Sequence, residues 1–94
     1  MKIKIRTGIF EVQNFNLVSE NQKIFLRNAE NQIVLSIQDI EKIEIIAKTV
    51  VPAKVIFHMT DTTIIEGFFI SVTDIDTLIA DAKKKNITLV INQD

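Results

Sequence analysis

The chain has 94 residues, eleven basic against twelve acidic for a formal net charge of −1, and it is 47% apolar and 24% charged. That balance is an ordinary soluble domain's; it leaves no concentrated basic surface for a dedicated nucleic-acid binder and no apolar run near the ~20 residues of a bilayer span. The absence of cysteine removes disulfides, thiolate metal sites and a cysteine nucleophile, and the two glycines and one proline leave no low-complexity linker, so residues 1–94 read as one ordered domain with a cytoplasmic home.

Met1-Lys2-Ile3-Lys4-Ile5-Arg6 alternates basic and apolar residues and has no unbroken apolar region, so it reads as strand and not as a secretory leader. The pattern continues from Lys2 to Gln13 as one long first strand, bent or bulged at Thr7-Gly8, with Phe10 and Val12 flanking Glu11. Phe15 and Leu17 give a short second strand, which ends in Ser19-Glu20 and a turn at Asn21-Gln22. Lys23 to Arg27 is a third strand with Ile24 and Leu26 on one face, closed by a hairpin loop over Asn28–Asn31.

Gln32 to Ile46 is the stretch around which the rest is arranged. It reads as strand, a break at Gln38-Asp39, and strand again, with Ile33, Leu35 and Ile37 on one face before the break and Ile43 and Ile45 on one face after it. Ile37, Ile40 and Ile43 also fit one side of a helix. The density of β-branched residues decides for strand, because branching at Cβ is stiff in a helix and suits a pleated surface.

Thr49-Val50-Val51-Pro52 is a connection, since proline cannot donate to a ladder. Lys54 to Met59 alternates Val55, Phe57 and Met59 against Lys54, Ile56 and His58. Asp61-Thr62 turns the chain into a strand over Thr63–Ile70, in which Phe68 and Phe69 put a ring on each face and Gly67 leaves room for a neighbour. From Ser71 the period becomes 3.6. A helix over 73–85 follows, with Thr73 as N-cap, Asp74 and Asp76 in the first turn, and Ile75, Leu78, Ile79 and Ala82 on the buried stripe. Lys83, Lys84 and Lys85 sit at its negative end and Asn86 caps it. Ile87, Leu89 and Ile91 then alternate as a short extra strand, 87–91, that must find a sheet edge.

The order is mainly β within the α+β class: about seven antiparallel strands capped by one C-terminal helix. Thr7-Gly8-Ile9-Phe10-Glu11-Val12, the Leu26-to-Leu35 hairpin, Ile37-Gln38-Asp39-Ile40-Glu41-Lys42-Ile43 and Glu66-Gly67-Phe68-Phe69 resemble the running pattern of bacterial pleckstrin-homology-like and GRAM-type domains over roughly residues 5 to 86. The resemblance implies a barrel or sandwich of the pleckstrin-homology superfold, serving as a scaffold for peptides, lipids or partner subunits, with no shared catalytic residues. This chain lacks that family's dense basic cluster in the first strand loop, and it continues past the helix.

Residues that could carry chemistry are few. His58 is the only histidine, which leaves no triad or multi-histidine metal site, and it reads as a half-exposed strand residue. Helix-start electrostatics explain Asp74 and Asp76, and a solvated helix end explains Lys83 to Lys85. There is no glycine-rich phosphate loop, nucleophile elbow or metal-ligand spacing, so neither an enzyme nor a cofactor nor a small-molecule substrate is expected. Lys2, Lys4 and Arg6 share a strand face, joined by Lys23 or Arg27, and form the candidate anion-binding patch. The first functional expectation is a binding module that contacts a protein partner or a second copy of itself through the sheet edge at Ile87, Leu89 and Ile91. The second is recruitment to an anionic membrane surface through the basic face.

Overall fold

The structure, a computed structural model, describes residues 1–47 and 51–92. Its strands are β1 (Lys2–Arg6), β2 (Val12–Glu20), β3 (Lys23–Arg27), β4 (Gln32–Ser36), β5 (Ile40–Ile46), β6 (Ala53–Met59), β7 (Ile64–Phe69) and β8 (Leu89–Asn92). A single 3₁₀ turn (Ile37–Asp39) joins β4 to β5, and one helix, α1 (Val72–Lys84), lies between β7 and β8. The strands form an open mixed sheet in the order β4-β3-β2-β1-β7-β6-β5-β8. The mainly β class with one C-terminal helix is therefore as expected.

Period-two alternation sets one face inward along every strand. In β1, Ile3 and Ile5 are buried and Lys2, Lys4 and Arg6 are exposed; in β6, Ala53, Val55 and Phe57 are fully buried. The middle stretch behaves as read: Leu35 is buried before the break, and Ile43 and Ile45 are buried after it. The helical alternative for Ile37, Ile40 and Ile43 reduces to the 3₁₀ turn. The helix closes one side of the core with Ile75, Leu78, Ile79 and Ala82, each of the larger three worth about 1.5–3 kcal/mol when fully buried.

Four expectations change. Lys2 to Gln13 is not one bent strand: β1 stops at Arg6 and the chain reverses over Thr7–Glu11, where the N–H groups of Thr7 and Gly8 both donate to the Glu11 carbonyl. Val12 to Glu20 then runs back as one long β2, pairing Arg6 with Val12 and Lys2 with Asn16. The helix starts a residue earlier than expected, and its N-cap is Ser71 instead of Thr73, because the Ser71 hydroxyl accepts from the Asp74 amide. The seven strands β1 to β7 pair antiparallel as expected, but with the extra strand they form one open sheet ending at β4 and β8 where a barrel or sandwich was expected. The extra strand begins at Leu89 instead of 87, and it lies parallel to β5, pairing Ile43 with Leu89 and Ile45 with Ile91. A chain that leaves β7, crosses the core as a helix and returns to the far rim can reach β5 in that direction. The connection expected at Thr49–Pro52 falls partly outside the described residues, at 49 and 50; Val51 and Pro52 lead directly into β6.

Turn chemistry follows the sequence. Asn21 and Asn86 take the left-handed backbone region that asparagine tolerates, and Asn86 lies at the helix end, where the Ile87 amide donates back to Ala82. Asn28 closes the β3–β4 loop with a side-chain oxygen that accepts from the Glu30 and Asn31 amides. Gly67 fits a close crossing of β1 over β7: a Cβ there would lie 2.8 Å from both the Lys4 carbonyl oxygen and Ile5 Cδ1.

Candidate anion-binding groove

The outer face of β1, β2 and β3 carries what β1 and β3 do not bury. Register places Lys2, Asn16 and Arg27 in one row across the three strands, with Lys4 opposite Asn14 in the next. On its other side Lys4 meets Phe68 of β7. These residues line a half-open groove of about 550 Å³, together with Asn28 and Ile70. The lining holds three cations, Lys2, Lys4 and Arg27, and no carboxylate.

None of these three cations is ion-paired among the described residues. Arg27 is held in place without being neutralised: its guanidinium stacks 4.4 Å from the centre of the Phe25 ring, and its Nε donates to Gln32 Oε1 at 3.1 Å. The rest of its donor fork is available. Strand spacing sets Lys2 and Arg27, two strands apart, about 10 Å from each other, and Lys2 and Lys4, two residues apart, about 7 Å. An anion entering the groove is thus met from more than one side. Asn14 and Asn16 supply amide donors, and Phe68 and Ile70 an apolar wall.

The other two cations of the expected patch lie elsewhere. Arg6 pairs with Glu66 at 3.4 Å, and Glu66 also takes Lys54 at 3.4 Å. Lys23 sits at the opposite end of β3, in the row of Glu20 and Ser36. Asn14, Asn16, Phe68 and Ile70 were not singled out as site residues. The alternation of Asn14-Phe15-Asn16 and of Phe68-Phe69 is the signal that turns them outward.

Beyond the groove, the β1–β2 hairpin carries Ile9 and Phe10 at its tip, 83% and 101% exposed. Glu11 at its base is tied back by Thr7 Oγ1 at 3.1 Å and Gln13 Nε2 at 2.7 Å; these two hydrogen bonds hold its pKa below the usual value. His58 has an acid beside it. Its Nε2 lies 2.9 Å from Glu44 Oε1, while Asn92 Nδ2 donates to Glu44 Oε2 at 2.8 Å. The His58 hydrogen bond is the main reason the Glu44 carboxyl titrates low. The pair sits on the outer face of β5 and β6, away from the groove. The lysine run at the helix end divides: Lys83 and Lys84 are exposed, whereas Lys85 reaches Ser19 Oγ and pairs with Asp81 at 3.6 Å.

The expected interface residues also separate. Ile87 is buried ahead of the strand, Leu89 packs on the core margin, and Ile91 is 38% exposed. The Thr88 and Asn92 carbonyls accept from the Ile43 and Ala47 amides, so strand alternation points the backbone groups of Leu89 and Ile91 outward. Among the described residues no group of three or more acids or histidines could hold a metal ion, and no helix is long and apolar enough to cross a membrane. No protein-family model, curated protein or solved structure matches this chain.

Proposed function

We propose that this chain is a small non-enzymatic binding module with the architecture of the pleckstrin-homology superfold, and that it docks on an anionic membrane surface from the cytoplasm. The run β4-β3-β2-β1-β7-β6-β5 with a helix after β7 supports the architectural reading. The functional reading rests on one observation: Lys2, Lys4 and Arg27 converge on a groove without a single carboxylate in its lining. Unpaired cations on a face bordered by an apolar hairpin tip suit phosphate-bearing headgroups at the rim of a bilayer, where each added basic residue contributes about 1 kcal/mol.

Co-sedimentation with vesicles containing an acidic phospholipid tests it. Binding should be strong at low salt, fall as salt screens the surface, and be lost in a Lys4→Glu, Arg27→Glu double variant. Lys23→Glu makes a like-signed charge change at the far end of β3 and should leave binding nearly intact. Absence of sedimentation at low salt, or equal weakening by Lys23→Glu, rejects the proposal.

A second reading is contact with another protein chain, or a second copy, along a sheet rim. The feature that favours it is the pair of terminal strands, β4 and β8, neither of which carries a charged residue within its span.

A further inference from the structure

We infer that the β4 rim receives a second copy of this chain, pairing β4 with β4 antiparallel about a two-fold axis at Val34. The inference rests on the rim-contact reading and assigns it a rim, a register and an occupant.

Ladder parity identifies which backbone groups are free. The Ile37 amide donates to the Gln22 carbonyl at 2.9 Å, and the Asn28 amide to Asn31 at 3.0 Å. With Leu26 opposite Ile33 and Ile24 opposite Leu35, those two pairs are the hydrogen-bonded ones. The N–H and C=O of Gln32 and Val34, and the amide of Ser36, therefore face away from β3. Among the described residues no further strand lies beyond β4 in the sheet order.

The usual guards against edge pairing are missing here. Gln32-Ile33-Val34-Leu35-Ser36 contains no charge and no proline, and its register with β3 runs without a bulge. A two-fold axis at Val34 sets Val34 against Val34, Ile33 against Leu35 and Gln32 against Ser36, and with no charge anywhere in the strand none of these pairs repels. About Val34 the free groups match. The two Val34 residues exchange N–H and C=O, and each Ser36 amide reaches the other copy's Gln32 carbonyl.

Both faces gain apolar contact from the same register. Val18, Phe25 and Val34 form one outer-face row, with Val18 36% and Val34 43% exposed. The second copy continues that row with its own Val34 and Phe25. On the inner face, half-buried Ile33 comes opposite the other copy's Leu35. The β8 rim offers less, because over the described residues its strand is one residue shorter and its Asn92 side chain is already tied to Glu44.

Sedimentation equilibrium on the full chain, from about 10 μM to about 1 mM where weak interfaces are populated, reads the outcome. The mass should rise from 10.7 kDa toward twice that value. Val34→Lys should raise the dissociation constant at least ~10-fold with an unchanged circular dichroism spectrum. Val34→Pro, which removes an amide that the chain itself does not use, should do the same and guards against misfolding of the lysine variant. Ile91→Lys should leave the dimer intact. A wild-type monomer at every concentration, or folded Val34 variants as dimeric as wild type, overturns the proposal. A dimer lost in Ile91→Lys but kept in Val34→Lys also overturns it, while leaving rim contact itself standing at β8.

Discussion

Gly67 is the residue at which one added methyl has a defined cost. It sits in β7 opposite Ile5 of β1 and Val55 of β6, where a Cβ would come within 2.8 Å of both the Lys4 carbonyl oxygen and Ile5 Cδ1. The isoleucine methyl has some freedom to turn aside. The carbonyl belongs to the backbone at the crossing that joins the two halves of the sheet, so relief requires β1 and β7 to separate. Gly67→Ala should therefore destabilise the fold by about 1–3 kcal/mol, the range for overpacking a filled site, as read from urea unfolding. An unchanged midpoint would mean that the crossing is looser than these distances imply. The sequence carried a hint of this, because a lone glycine inside an alternating strand points to a close backbone approach. What it could not carry is the identity of the approaching strand, more than sixty positions earlier in the chain.

Elements with a strong period were legible, and their long-range partners were not. Gln32 to Ile46 could be read as strand, break, strand because its β-branched residues repeat at the spacing of a pleat. The β1–β2 hairpin is hidden for the same reason: apolar and polar residues keep alternating through Phe10 and Val12, although Phe10 lies in the loop itself, and that loop lacks an Asn-Gly pair. Ser71 and Thr73 are both competent N-caps, and only the position of a hydroxyl against the Asp74 amide separates them. In the groove, the common face of Lys2 and Lys4 was written in the sequence. Their approach to Arg27 needed the β1-β2-β3 register, and the withdrawal of Arg6 needed β7, with Glu66, beside β1. The tail was least legible, since nothing local says that Leu89 to Asn92 joins β5 in parallel. Its consequence is measurable. Truncation after Asn86 removes Ile87, buried among core residues, and the core-margin contact of Leu89, and it strips one side of β5. At about 1.5–3 kcal/mol for each fully buried aliphatic side chain, the shortened chain should lose roughly 2–5 kcal/mol in urea unfolding. A truncated chain as stable as the parent would show β8 to be an accessory to the core.

At the scale of the whole molecule, three carboxylates are shifted in the same direction. Glu11, Glu44 and Asp61 each titrate below their ordinary values, chiefly because side-chain donors bond the charged form: Gln13 on Glu11, His58 on Glu44, Thr63 on Asp61. A group whose pKa is lower folded than unfolded binds fewer protons in the native state over the interval between the two values. Stability therefore rises with pH through that interval and is complete above the unfolded value. The ordinary values are 4.5 for the two glutamates and 3.8 for Asp61, so the contribution fades on acidification below them. Glu44 is the informative one, because it joins β5 to His58 on β6 and Asn92 on β8. Glu44→Gln should be less stable than wild type near neutral pH, and the two proteins should converge as acidification below 4.5 protonates the wild-type carboxylate as well. Urea unfolding at a series of pH values reads that convergence directly. A gap that stays constant down to acid pH would instead assign the effect of the substitution to packing on the β5–β6 face and leave the charge of Glu44 without a role in stability.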